Sequence, residues 1–212
     1  MDFRLKVNFK KSFIDLITSL IFVFKNFFGL IFFPYKTLRR LSFEKDYYQS
    51  FFIFFLIFCY FKFVYFLKDK PYPATFNFLV FFANFFLTLL FFYYLSLILN
   101  KKRKDISFLS LFFTFSYSLF PTLIWFGSVS FLYIILPPPR TTSTLGIFFS
   151  IFFLAYSFSL LAWKLILVFL SLRFSLKLNF YQIIYLLILY LLWFLPYSII
   201  LYRFKIFKIP FI

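Results

Sequence analysis

No histidine occurs anywhere in the 212 residues, and cysteine occurs once, at Cys59 inside an apolar run. The first absence removes the commonest metal ligand and the commonest general base together. The second rules out an intrachain disulfide and leaves Cys59 as a small hydrophobe. Glycine is scarce: Gly29, Gly127 and Gly146 cannot build a phosphate-binding loop, a dinucleotide-binding turn or a nucleophile elbow. Carboxylates are scarce as well. Asp2, Asp15, Glu44, Asp46, Asp69 and Asp105 are all of them, and none falls in the interior of the five spans described below. That excludes the proton relay of a pump and the carboxylate pair of an intramembrane aspartyl protease. No catalytic, cofactor-binding or metal-binding residue is expected, and an enzyme is not the reading.

What the chain has instead is grease and positive charge. Hydrophobic residues make up 64% and phenylalanine alone 45 positions, and the mean hydropathy is +0.96. A water-soluble globule is usually about half apolar, so this composition describes a polytopic membrane protein. Most phenylalanines read as lipid-facing filler, where only apolarity is needed. The formal net charge of +17 has no soluble segment in which to form a nucleic-acid-binding domain. Its counterpart is the anionic leaflet of the bilayer.

The central stretch is DISFLSLFFTFSYSLFPTLIWFGSVSFLYIIL, residues 105–136, an apolar run broken by Pro121 just after Ser116, Tyr117 and Ser118. In hydrocarbon every backbone group needs a partner, so a proline in mid-span requires hydroxyls or neighbouring helices to serve the carbonyl it frees. Ser116 and Ser118 are the local donors. Hydropathy places the five crossings at 49–67, 75–99, 106–136 with a kink at Pro121, 145–171 and 181–202, each near or above the roughly 20 residues needed to cross. Residues 1–48 are a basic segment and 49–212 one membrane domain.

Within the basic segment, residues 13–33 admit two readings. As a span they hold Asp15 and Lys25 without partners, at about 2.5 to 3.5 kcal/mol each near mid-bilayer. As an interfacial helix they put Ile14, Ile17, Ile21, Phe24 and Phe28 toward lipid and leave Asp15, Ser19 and Lys25 to water. The interfacial helix is preferred, ending at Pro34. Counting basic residues supports it: five spans give fifteen on the cytoplasmic side against six outside, whereas six spans give ten against ten. The N-terminus is then cytoplasmic and the C-terminus outside. Lys36, Arg39 and Arg40, with Lys101, Lys102, Arg103 and Lys104, are the candidate headgroup-binding residues.

Polar residues inside the spans are the candidates for function. Asn77, Asn84 and Thr88 are seven and four residues apart and share a helix face, which reads as an interhelical hydrogen-bond stripe. Lys62 and Lys164 have no acidic partner and are expected to snorkel to the interface. Pro34, Ser116, Tyr117, Ser118, Pro121 and Lys164 complete the set.

Three stretches carry a family resemblance. LIFFPYKTLRRLSFEKDYYQSFFIFFL sets a hydrophobic stretch, a proline and an amphipathic run ahead of the first span; FTFSYSLFPTLIWF leads small polar and aromatic residues into a proline; LAWKLILVFLSLRFSLKLNFYQ is an aromatic-anchored helix with a basic exit. Together they resemble the Yip1 domain family of five-span membrane proteins. The resemblance implies an all-α bundle of five transmembrane helices preceded by an interfacial amphipathic helix. For eukaryotic members it implies binding of prenylated Rab GTPases and shaping of vesicle membranes, and for prokaryotic members only an integral membrane protein of unsettled function; the expected setting of this chain is a prokaryotic cell (inner) membrane. The expected role is membrane organisation or scaffolding, in company with anionic lipid, with membrane-protein partners or with a second copy. The alternative is a membrane subunit of a transporter, with a path at the bend of the third span and a polar cavity between spans two and three. A lipid-modifying enzyme is a distant third.

Overall fold

The structure is a computed structural model that describes residues 2–44, 46–67, 73–99, 107–135 and 143–204. Among these every regular element is a helix. In chain order they are α1 (Asp2–Phe32), α2 (Pro34–Leu41), α3 (Tyr47–Leu67), α4 (Ala74–Leu99), α5 (Phe108–Tyr117), α6 (Phe120–Ile135), α7 (Thr144–Ser175) and α8 (Phe180–Arg203). Six stretches are long and apolar enough to cross a membrane: one on each of α1, α3, α4, α7 and α8, and one over α5 and α6 together. That is the make-up of an integral membrane protein.

The five expected crossings coincide with α3, α4, α5–α6, α7 and α8 to within a few residues. The first helix is longer than expected and reaches the apolar length of a span at Ile14–Phe32. Pro34 divides α1 from α2, as its ring requires. It occupies the first turn of α2, where no N–H is needed, with Phe33 as N-cap at φ −137°. The turn sends α2 back over α1, and a Cβ on Gly29 would lie 2.7 Å from the Thr37 Oγ1. Here glycine is needed for close approach.

One end of the bundle is assembled by this hairpin. Ser110 donates to the Ser42 carbonyl at 2.8 Å, Ser175 donates to the Ser110 carbonyl at 3.1 Å, and the Tyr35 and Phe174 rings meet at 4.9 Å. The α2 end therefore gathers the starts of α3 and α5 and the end of α7. The interior between α3, α4, α5 and α6 is aromatic, and Phe81, Phe85, Phe92 and Phe126 are essentially fully buried. Phe54 packs edge-on against Phe82 and Phe85, and Phe61 against Phe81 and Phe126. These phenylalanines are interior packing, beyond the lipid-facing filler expected of most of them.

The interruption of the third span lies ahead of its proline. α5 stops at Tyr117, Leu119 accepts the first backbone bond of α6 from Leu123, and Pro121 is the second residue of α6. Ser118 caps the end of α5, its N–H and its Oγ both reaching the Phe115 carbonyl, while Ser116 donates to Phe112. The serines thus serve the carbonyls one turn before the break. Pro121 occupies a first-turn site where its missing N–H costs nothing. Pro121→Ala is therefore expected to keep the bend and to change stability by less than about 1 kcal/mol, measured by thermal unfolding with a spin-label distance across α5 and α6.

α5 and α7 are joined by small polar residues. Thr114 and Ser175 share a hydrogen bond of 2.7 Å, and Ser171 donates to the Thr114 carbonyl at 3.1 Å. Such residues let two backbones approach closely, which in lipid is the main source of helix association.

Candidate functional site

Three polar constellations stand out, and each begins from residues that lipid disfavours.

The first is a buried hub at the α2 end. On α1, Ser19, Val23, Asn26 and Leu30 recur at helical spacing and are all buried. Ser19 is therefore packed, contrary to its expected place in water, and its hydroxyl donates to Asp46 Oδ2 at 2.6 Å. Asn26 is 1% exposed. Its amide donates to Gln49 Oε1 at 3.2 Å and to the Tyr117 hydroxyl at 3.1 Å, while its oxygen accepts from Arg40. Tyr117 donates to Gln49, and Gln49 to Asp46 at 3.1 Å. The hub joins α1, α2, α3 and α5. The expected exposed face of α1 is exposed: Ile14, Ile17, Ile21, Phe24 and Phe28 are each more than two-fifths open.

The geometry of α1 follows from the hub. Ser19 and Asn26 are about 10 Å apart along the α1 axis, yet their partners Asp46 and Gln49 are separated by only about 4.5 Å of helical rise at the start of α3. Ser19 and Asn26, two turns apart on α1, thus both bond to the first turn of α3 and the residue just before it. Consecutive spans in a hairpin would set Ser19, thirteen residues before the end of α1, against the middle of α3.

The second constellation is a basic cleft of about 380 Å³ on the same end, where Arg39, Arg173 and Lys177 line the walls with Ser42, Asn179 and the Phe43, Phe174 and Phe180 rings. All three cations are exposed. Lys177 has φ 53°, in the left-handed region that glycine takes more cheaply. Asn179 caps α8 with Gln182 in a capping box, so the positive end of the α8 dipole also borders the cleft. Of the expected headgroup residues, Arg39 lines this cleft. Lys36 is exposed beside it in sequence, and Arg40 turns to Asn26 and pairs with Glu44 at 3.2 Å. Lys101, Lys102, Arg103 and Lys104 lie outside the described residues.

The third lies within the membrane-length part of α6 and α7. Lys164 was expected to snorkel, but it is buried, at 9% exposure, and donates to Thr122 Oγ1 at 2.8 Å. The physical reason is position: α7 runs on to Ser175, which leaves Lys164 about 16 Å of helix from its end, beyond easy reach of water. Lys62, nearer the end of α3, donates to Thr75 at 3.0 Å and stays exposed. Beside Lys164 is a cavity of about 220 Å³ between α6 and α7. Trp125 donates to Ser157 at 3.1 Å across its wall, and Ser128 and Tyr156 are bonded at 2.7 Å further along.

The α4 stripe serves α8. Asn84 accepts from Tyr197, and Thr88 shares a bond with Tyr190 at 3.2 Å. Asn77 is half-buried a turn and more away. Pro34 shapes the α1–α2 turn, Pro121 lies in the first turn of α6, and Ser116 and Ser118 serve their own helix. Of the expected residues, Tyr117 and Arg40 join the hub. Asn26, Gln49 and Asp46 were not singled out in the sequence, although the seven-residue spacing of Ser19 and Asn26 marks one helix face. No group of three or more potential metal ligands occurs among the described residues.

Compared with protein-family models, with curated proteins and with solved structures, the chain matches none.

Proposed function

We propose that this chain is a non-catalytic, Yip1-like integral membrane protein that organises an anionic leaflet and presents its α2 end to lipid headgroups and partner proteins. The observation that carries the reading is the basic cleft. Three cations from α2, the end of α7 and the α7–α8 turn converge with a helix N-terminus on a site large enough for a phosphate-bearing headgroup. Lys177 holds the left-handed conformation, which costs a non-glycine residue on the order of 1 kcal/mol, and places a third charge on the cleft.

In this reading α1 lies in the interface and five helices cross. Its open face of Ile14, Ile17, Ile21, Phe24 and Phe28 and the balance of basic residues support that arrangement. The α2 end is then cytoplasmic, and a prokaryotic inner membrane is the proposed setting. The transport alternative calls for a polar cavity between α4 and α5. At that interface Phe85 and Phe86 meet Phe112, and Phe92 meets Phe115, so the scaffold reading is preferred.

The test replaces Arg39, Arg173 and Lys177 with glutamine and compares retention of phosphatidylglycerol with phosphatidylcholine by native mass spectrometry. At about 1 kcal/mol per basic group near a charged surface, the triple variant should lose on the order of a hundredfold in preference for the anionic lipid. Equal retention by the native chain and the variant would sink the proposal.

A further inference from the structure

We infer that the cavity between α6 and α7 binds a single-chain lipid carboxylate, with Lys164 and Thr122 holding its head and the apolar wall holding its chain. Three observations combine here. An ammonium has three donors, and Lys164, packed at 9% exposure, spends one on Thr122. None of the six carboxylates in the sequence belongs to α2 or to any helix from α3 onward, so the helices that touch α7 offer the lysine no countercharge. The cavity starting at this ammonium is lined almost wholly by carbon, with Leu154 and Phe158 exposed on the outer face of α7.

A buried cation without an anion is costly, and an anion supplied by a ligand offsets that cost. The occupant must therefore carry one negative charge and a hydrocarbon tail, and it must arrive from the side, through the bilayer. The Thr122 hydroxyl accepts from Lys164 and keeps its own proton to donate, so the pair presents two adjacent donors suited to the two oxygens of a carboxylate. Leu154 is ten residues before Lys164, about 15 Å of α7, which sets a track for a chain rather than a compact solute. The Trp125–Ser157 bond is already satisfied within the wall and leaves it apolar. This site is separate from the basic cleft, and the inference requires only that the protein sit in a bilayer.

The experiment uses the full chain in zwitterionic nanodiscs with two photoactivatable probes of equal length, a long-chain fatty acid and the corresponding fatty alcohol, followed by peptide mapping. The acid should label the segment from Leu154 to Lys164 about tenfold more than the alcohol, the ratio expected from one charge-assisted hydrogen bond. Lys164→Met should abolish the preference and Lys164→Arg should retain much of it, with unfolding temperatures recorded for both. Equal labelling by acid and alcohol on the native chain overturns the inference without recourse to any variant. So does an undiminished preference in Lys164→Met, or displacement of the fatty acid by phosphatidic acid at lower concentration, which would assign the site to a phosphate.

Discussion

Asn26→Leu is expected to destabilise the protein by about 3 kcal/mol, the sum of buried hydrogen bonds lost and partners left unsatisfied. Asn26 is nearly inaccessible and holds Arg40, Gln49 and Tyr117 at once. The loss is moderated by Arg40, whose side chain is 49% exposed and can return to water. It is not moderated at Gln49 or Tyr117, which are buried. Tyr117→Phe should cost less, about 1 kcal/mol, because Asn26 and Gln49 still bond each other. An unfolding titration in mixed micelles measures both, and a double-mutant cycle isolates the coupling. If Asn26→Leu proves as mild as Tyr117→Phe, the hub is decoration rather than structure.

Ser171→Leu should be at least as damaging, by about 3 kcal/mol or more, through overpacking. Ser171 is fully shielded, and its hydroxyl reaches both its own Leu167 carbonyl and the Thr114 carbonyl of α5. The two helices are therefore too close for a branched side chain. Ser171→Ala is the informative contrast. It deletes the hydrogen bonds but keeps the spacing, and interhelical bonds of this kind contribute only about 0.6 kcal/mol each. A large effect of leucine with a small effect of alanine would assign the α5–α7 contact to shape. Equal effects would assign it to hydrogen bonding and overturn that view. The readout is the unfolding midpoint together with monodispersity after solubilisation.

The helices were legible in the sequence because apolar length and proline positions act locally. Pro34 had to end a helix wherever it fell, and the five later apolar runs had to be helical to satisfy their backbones in lipid. The break in the third span was legible too, though its cause was not. Pro121 marks the spot, while the interruption is made by Ser118 capping α5. The hub was hidden because its members come from four elements, and Asn26 and Tyr117 are 91 residues apart. Nothing about residue 26 taken alone separates a packed asparagine from a hydrated one. Lys164 was misread for a related reason. Its reach to water depends on where α7 ends, and that end extends to Ser175 because the helix docks on α2 and α5 through Phe174 and Ser175. Tertiary contact set the boundary that hydropathy placed at residue 171.

The hub's 91-residue separation also constrains how the protein is made. Asn26 leaves the ribosome well before Tyr117, and Tyr35 long before Phe174, so the α1–α2 hairpin has to wait, half-assembled, while four or five further helices are threaded into the bilayer. Until then Asn26 has Arg40 and Gln49 as partners, and its contact with Tyr117 is still open. Helix α7, inserted late, therefore fastens the first hairpin, and a nascent chain stalled before it would leave α2 with the Tyr35 ring uncovered at the membrane edge.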